Sequence, residues 1–567
     1  MINVRSASPP PRRLFRPHGF PALLLLLVAL CATSADAERR ERLVENWRPL
    51  HYDVTLTFDN ELGALTRAET QLDALVLSDN LAAIDLDFGA LTIDAVSVGE
   101  RPARYERQGE RLNVYLARPA RRGERLRLRV VYHGRPTDGL ILTNDKDNRP
   151  SATGDNWPNR VHHWIPSLDH PSAKATVRFN VTAPARTTVV ANGRLDARRT
   201  NADGTQTWTY SEAAPMPPYC MVVAVGEFAS LQPGIARGAR HAPVSYYVPP
   251  SEQKFALQGF SAAIPSLKYF SQTVAPFPYA KLAHIVGATR FGGMENSGAI
   301  IYSRTLFDPR AGAPLSTRFG VRRGLVELIA HETAHQWFGD AVTPATWSDL
   351  WLSEGFATYY AGLFVEQSEG RAAFREYMRR KGEEYLKYEQ TRRAPIYDRE
   401  TEDLNGLLNA NNYQKGAWVL HMLRAELGDA AFFRGVRAYY RAHLHRNATT
   451  EDLRVALERA SGRRLREFFA RWVYASGHPR YEAAWSWAER APNRGGVLAL
   501  TLKQTQADGA IFTNAIPVEI VTRTGTRRIK LTPTGRETTT RISLNRRPNA
   551  VRFDPDETIL KELSARP

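Results

Sequence analysis

"VELIAHETAHQWFGD" (Val326 to Asp340) carries two histidines four residues apart, with a glutamate directly after the first. On a helix, a four-residue step returns side chains to one face, one turn along. Both imidazoles can then reach one metal ion, while Glu332 points to the open position beside it. The apolar residues upstream suit a packed helix, and Gly339 is placed to end it. Alone, the pattern is only moderately specific, since it also describes a helix with two ordinary histidines. The third ligand decides. Structural zinc takes four protein ligands, and catalytic zinc takes three with a water. "DLWLSEGFATYYAGLF" (Asp349 to Phe364) reads as a second buried helix, in which Glu354 is costly to bury unless a cation meets it. His331, His335 and Glu354 make a two-histidine, one-glutamate set for a single Zn2+ per chain. No further Cys or His is near enough in sequence to close a structural site.

Outward from this centre the hydrophobic period changes twice. From about residue 38 to 235 it is two: "YDVTLTF" alternates Tyr52, Val54, Leu56 and Phe58 with polar neighbours, and "LRLRVVY" repeats this with Leu126, Leu128, Val130 and Tyr132. Such runs, punctuated by Gly and Pro, predict half-buried antiparallel strands. Between 236 and 484 the period is helical. "LNANNYQKGAWVLHMLRAEL" approaches a stop at Gly428, "TTEDLRVALERASG" opens with Thr449 and Asp452 in a capping arrangement and ends at Gly462, and "LREFFARWVYASG" follows. Alternation returns from about 485 to 567, where "VLALTL" aligns Leu498, Leu500 and Leu502 and where "IPVEIV" and "RRIKL" read as short strands. The order predicts a multidomain α+β chain: a β-rich amino-terminal domain, a mostly helical catalytic domain and a small β-sandwich. A length of 567 residues accommodates three domains.

Residues 1–37 have another character. Arg5, Arg12, Arg13 and Arg16 precede the apolar run Ala22 to Leu30, and "ADA" (Ala35 to Ala37) offers small residues for cleavage. This is the pattern of a secretory signal peptide, with Glu38 the expected first mature residue and a periplasmic or secreted product. "PRRLFR" partly resembles a twin-arginine signal, so the export route stays open. "VALC" partly resembles a lipoprotein box at Cys31, but Leu30 is a poor match to the small residue such a box needs. Cleavage would leave Cys220 as the single cysteine, which excludes an intramolecular disulfide in the mature chain. Cys220 lies in an apolar, strand-like run and reads as a small buried hydrophobe. Loss of the leader takes the formal charge from +17 to +14. The arginines are scattered without an aromatic-interleaved patch, so a solvated basic surface is expected and no nucleic-acid partner. No run of about 20 apolar residues predicts a permanent membrane span.

The pattern H-E-x-x-H, eighteen residues, then E within "WLSEGFATYY" resembles the gluzincin aminopeptidases of the aminopeptidase N and leukotriene hydrolase family. Three segments agree. "FGGMENSGAI" (Phe291 to Ile300) resembles the family's G-A-M-E-N exopeptidase motif, with Gly293 where alanine is usual. "NYQKGA" (Asn412 to Ala417) resembles its Y-x-K-G segment. "HHWIPSLDHPSAKATVRF" (His162 to Phe179) resembles the R-x-x-x-P-x-x-D-x-P-x-x-K-A segment of the amino-terminal domain, with His162 where arginine is frequent. The resemblance covers roughly residues 45 to 480.

It implies a thermolysin-like catalytic domain that acts on peptides with a free amino terminus. Zinc is held by His331, His335 and Glu354, Glu332 is the general base, and Tyr413 donates to the oxyanion. Gly292, Gly293, Met294, Glu295 and Asn296 form the substrate edge, with Glu295 pairing with the α-amino group and the glycines letting the backbone lie close to substrate. A second amine anchor, glutamine or glutamate in much of the family, falls here at Trp157 or Asn156. Three other readings follow from the same zinc set: a metalloendopeptidase, an epoxide hydrolase, and a non-catalytic peptide-binding relative. The last predicts loss of a ligand, of Glu332 or of Tyr413, and all are present.

Overall fold

The computed structural model describes residues 38–236, 242–307, 317–490 and 495–566. The signal peptide expected over residues 1–37 lies outside them, as does Cys31.

The first β region is built on the alternation seen in sequence. Strand Trp47–Phe58 turns Tyr52, Val54, Leu56 and Phe58 inward, and pairs antiparallel with Leu65–Val76 and parallel with Ala175–Ala183. It lies inside an eight-stranded sheet that also contains Arg125–Gly134. A three-stranded and a four-stranded sheet share its hydrophobic core, in which Trp47, Tyr132, Trp164 and Phe179 are fully buried. Cys220 is buried as expected, but it sits in a 3-10 turn (Pro218–Cys220) and not in a strand. The paired prolines Pro217 and Pro218 set this turn, because each fixes φ and lacks the N–H a ladder needs.

The predicted helical region opens with strands. A mixed five-stranded sheet runs in the order Ala229–Ala236, Ala242–Val248, Leu282–Gly287, Ala299–Ser303, Gly293–Met294. Its last two members pair antiparallel, Gly293 opposite Tyr302 and Met294 opposite Ile301, so the sheet edge carries Glu295 to the helices that follow.

Those helices are Arg323–His335, Trp351–Glu369, Arg371–Glu389 and Gly416–Leu427, with Asp429–His443, Thr450–Ser461 and Arg466–Trp472 behind them. Trp351–Glu369 is buried on every side from Trp351 to Val365, which is why its sequence shows no polar stripe. It crosses the helix at Gly416 at close range. A Cβ on Gly355 would lie 2.9 Å from the Gly416 carbonyl carbon, and one on Gly416 would lie 3.0 Å from the Gly355 Cα. Two motif glycines therefore let two backbones touch, and this contact brings the π-helical turn Asn411–Lys415, with Tyr413, against the Glu354 helix. The expected capping box is present, Thr449 and Asp452 bonding each other's backbone, and Gly462 ends that helix in the left-handed conformation.

Two further sheets close the chain. One of four strands contains Gly496–Gln504, whose Leu498, Leu500 and Leu502 face inward. The other, of three strands, supplies Val518 and Ile520. Alternation resumes at Arg480, a little before the expected 485. These strands share one continuous core with the catalytic helices.

Candidate metal centre and active site

The helix Arg323–His335 buries Leu325, Val326, Ile329 and Ala330 and turns its last two turns toward a cavity of about 480 Å³. His331, Glu332, His335, Glu354 and Tyr413 line this cavity together with Gly292, Gly293, Met294 and Glu295.

Three ligand atoms converge in it. His331 Nε2 and His335 Nε2 are 3.0 Å apart, and each is 3.3 Å from Glu354 Oε2. Donors about 2.0–2.1 Å from a tetrahedral zinc stand about 3.3 Å from one another, so this triangle fits that ion. The chemistry of the donors agrees. His335 Nδ1 lies 3.1 Å from the Phe338 carbonyl and 3.0 Å from Ser353 Oγ. The carbonyl can only accept, so the ring proton sits on Nδ1 and the Nε2 lone pair faces His331 and Glu354. Two imidazole nitrogens facing each other, beside a buried Glu354 oxygen with no hydrogen-bond partner, describe a site built for a cation.

Glu332 is not part of the triangle. Its carboxylate oxygen lies within 4.8 Å of donor atoms of Glu295 and His335, and burial pushes its carboxyl well above the usual carboxylate range. Gly293 explains how it fits: a Cβ there would lie 2.3 Å from Glu332 Oε1. The room that Gly293 leaves is taken by Glu332, while Gly292 is exposed at the cavity, where an added Cβ would meet nothing closer than a Leu328 methyl at 3.8 Å. Tyr413 lays its ring parallel to that of His331, centroids 5.9 Å apart. Burial, with Glu354 and Glu295 nearby, pushes its hydroxyl well above the usual phenol range, so it stays a donor.

Glu295 is 6 % exposed and its Oε1 has no partner. Burial pushes its carboxyl up to about 7 against the opposing effect of His335. A buried, unpartnered carboxylate oxygen in an open cavity is a receptor for a cation. Asn296 is different from its expected place at the substrate edge. It is fully buried, lies behind the cavity wall, and donates from Nδ2 to the Met294 carbonyl at 3.4 Å. Of the two residues at the second amine anchor, Trp157 lines the cavity. Asn156 is used elsewhere, donating to the Met221 carbonyl and accepting from Trp164 Nε1 at 2.8 Å.

A polar scaffold behind the site escaped the sequence reading. Gln336 donates to the Glu295 carbonyl at 2.8 Å and accepts from Gly298 N at 2.7 Å, which staples the Glu295 loop to the end of the helix Arg323–His335. Asp340 accepts from Gln336 at 3.0 Å, from Ser297 Oγ at 3.2 Å and from Cys220 Sγ at 3.3 Å. Lys174, in the "PSAKA" segment, donates to the carbonyls of Asp340 and Ala341 at 2.7 and 2.9 Å, and so ties the β domain to this corner. The only signal was that Gln336 and Asp340 are polar residues in a stretch otherwise suited to burial.

Gly339 makes the same corner testable. Its φ is +122°, and a Cβ would lie 2.4 Å from Ser353 Oγ and 3.0 Å from His335 Nδ1. Gly339→Ala is expected to lower stability by about 2 kcal/mol through backbone strain and crowding. By displacing the partner of His335, it should also weaken zinc binding about ten- to a hundredfold. Thermal melts and zinc competition against a chelator measure both; unchanged metal affinity would remove Ser353 and Gly339 from support of the site.

Comparison with known proteins bears on the same residues. Residues 259–472 match the domain described as Peptidase family M1 domain, and residues 48–220 match the Peptidase M1 N-terminal domain. The chain is 26% identical over 421 residues to a protein named probable aminopeptidase 1 from Saccharolobus solfataricus, covering 72% of this chain and 51% of the relative. It is 27% identical over 466 residues to the alanine/arginine aminopeptidase of Saccharomyces cerevisiae, covering 78% and 53%. With aminopeptidase M1 of Arabidopsis thaliana it shares 28% over 329 residues, covering 57% and 36%. The matched region thus spans about half, or less, of the length of these relatives.

Proposed function

The chain belongs to peptidase family M1, and from that premise we propose that it is a zinc aminopeptidase, releasing residues from the free amino end of peptides. The observation that carries the proposal is the buried Glu295 carboxylate, whose Oε1 has no partner and which has an oxygen within 4.8 Å of ligand atoms of Glu332 and His335. A cation receptor that close to the reacting centre leaves space for a single residue between the α-ammonium and the bond to be cut.

His331, His335 and Glu354 would hold the zinc, which when bound supplies a Lewis acid and lowers the pKa of its water to about 7. Glu332 takes the proton from the attacking water and passes it to the leaving amine. Tyr413 donates its hydroxyl proton to the carbonyl oxygen as negative charge develops there. Glu295 fixes the substrate by its ammonium, so the scissile carbonyl meets Glu332 and Tyr413 in register. We further propose that residues 1–37 direct export and are removed before Glu38, which amino-terminal sequencing of the secreted protein would test.

The deciding experiment is hydrolysis of paired aminoacyl amides, free and N-acetylated, by the purified zinc-loaded chain. Only the free-amino member should be cleaved, a chelator should abolish the activity, and added zinc should restore it. Equal cleavage of both members would make the chain an endopeptidase, and cleavage of neither would return the epoxide-hydrolase and non-catalytic readings. Tyr413→Phe should lower kcat about 10²- to 10³-fold with little change in KM. A drop confined to KM would instead make Tyr413 a substrate contact.

A further inference from the structure

The cavity has two unlike walls. Trp157, Phe291, Met294 and Leu408 belong to the hydrophobic cluster of the β domain, and Glu295 is the one charged residue that follows directly on this wall. The rest of the lining includes Glu327 and Lys381, from the helices Arg323–His335 and Arg371–Glu389, and Gln414 from the turn Asn411–Lys415. Their polar groups already have partners: Glu327 pairs with Arg380 at 2.6 Å, Lys381 pairs with Glu384 at 2.9 Å, and Gln414 donates to Glu384 at 2.8 Å.

The apolar wall is closely packed. Trp157 is 2 % exposed and is held edge-to-face between Phe291 and Trp347, with ring centroids 6.0 and 5.7 Å away. Phe291 is backed by the Arg160 guanidinium at 5.9 Å, which is itself paired with Asp138 and Asp155. An α-ammonium bound to Glu295 therefore presents the first side chain to an indole, a phenyl ring, a thioether and an isobutyl group. A charged first side chain would lose its water there and find no partner, because the one carboxylate of that wall is engaged by the ammonium. A large apolar one would gain by burial.

We propose that Trp157 is the specificity-determining residue of this cavity, and that the chain acts on peptides beginning with leucine, methionine or phenylalanine in preference to arginine, aspartate or glutamate. This rests on the aminopeptidase reading and adds the substrate class to it. The test uses the zinc-loaded full chain and a set of dipeptides that differ only in the first residue. kcat/KM for the Leu, Met and Phe members should exceed that of the Arg, Asp and Glu members at least tenfold. Trp157→Ala should cost the Phe member at least tenfold more than the Ala member, and Trp157→Phe should recover most of that difference. Because Trp157 is buried, Leu408→Ala provides a second variant from the same wall, with the same direction of change expected. Binding of the dipeptides to Glu332→Gln by calorimetry separates the two readings. An affinity order of Phe and Leu over Arg and Glu supports the proposal even if no turnover is found, in which case the aminopeptidase reading alone falls. A preference for charged first residues, or equal losses on all members in both wall variants, overturns the role of Trp157.

Discussion

Glu332→Gln is expected to lower kcat about 10³- to 10⁴-fold and to leave the metal content of the protein unchanged. The separation of these two effects follows from geometry. The ligand triangle is complete without Glu332, since His331, His335 and Glu354 meet within 3.3 Å of one another. Glu332 approaches from the next position on the helix, and its carboxylate occupies the space that a side chain at Gly293 would fill. Glutamine keeps the shape and the packing against Gly293 but cannot take a proton from the attacking water. Metal analysis and steady-state kinetics on the same preparation read both halves. A kcat within tenfold of the parent would remove Glu332 from proton transfer, and loss of the metal would make it part of the zinc site.

The parts of this site that were legible in sequence are those fixed by local repetition. His331 and His335 are one helical turn apart, so spacing alone puts their nitrogens on one face. The strand Gly496–Gln504 shows its inward leucines by alternation, and the helix Thr450–Ser461 shows its start in Thr449 and Asp452. Glu354 was readable because a charge inside an apolar helix demands a partner, although which partner came from the motif that ends nineteen positions earlier. Contacts between distant segments left no such trace. Trp157 meets Phe291 over a sequence separation of 134 residues, and Cys220 meets Asp340 over one of 120. Neither has a period or a turn signal that would announce it. The burial of Asn296 left no trace either: it adjoins Glu295 in sequence, but it stands directly before the turn at Ser297 and Gly298 and is fully buried outside the cavity lining. Gly293 and Gly355 show the same limit, since a missing side chain reveals that something approaches but not what. At Gly293 it is Glu332, and at Gly355 it is Gly416.

Glu295→Gln is expected to lower kcat/KM for free-amino substrates about 10- to 100-fold, mainly through KM, and to change the N-acetylated member of each pair far less. A hydrogen bond to a charged group contributes about 1.5–3 kcal/mol, which corresponds to that range. The magnitude is set by burial: at 6 % exposure, water neither screens the pairing nor replaces it. Glutamine preserves the shape of the loop, because the staple from Gln336 is made to the Glu295 backbone carbonyl and not to the side chain. The acetylated substrate has no ammonium to lose, so the ratio of the two rates isolates the charge pair from any general disturbance of the zinc site. An enzyme that cuts only at chain ends because of this pairing must relax toward blocked peptides when it is removed. If both substrates lose activity by the same factor, Glu295 acts on the shared chemistry at the zinc, and the exopeptidase limit must be sought in the aromatic wall around Trp157.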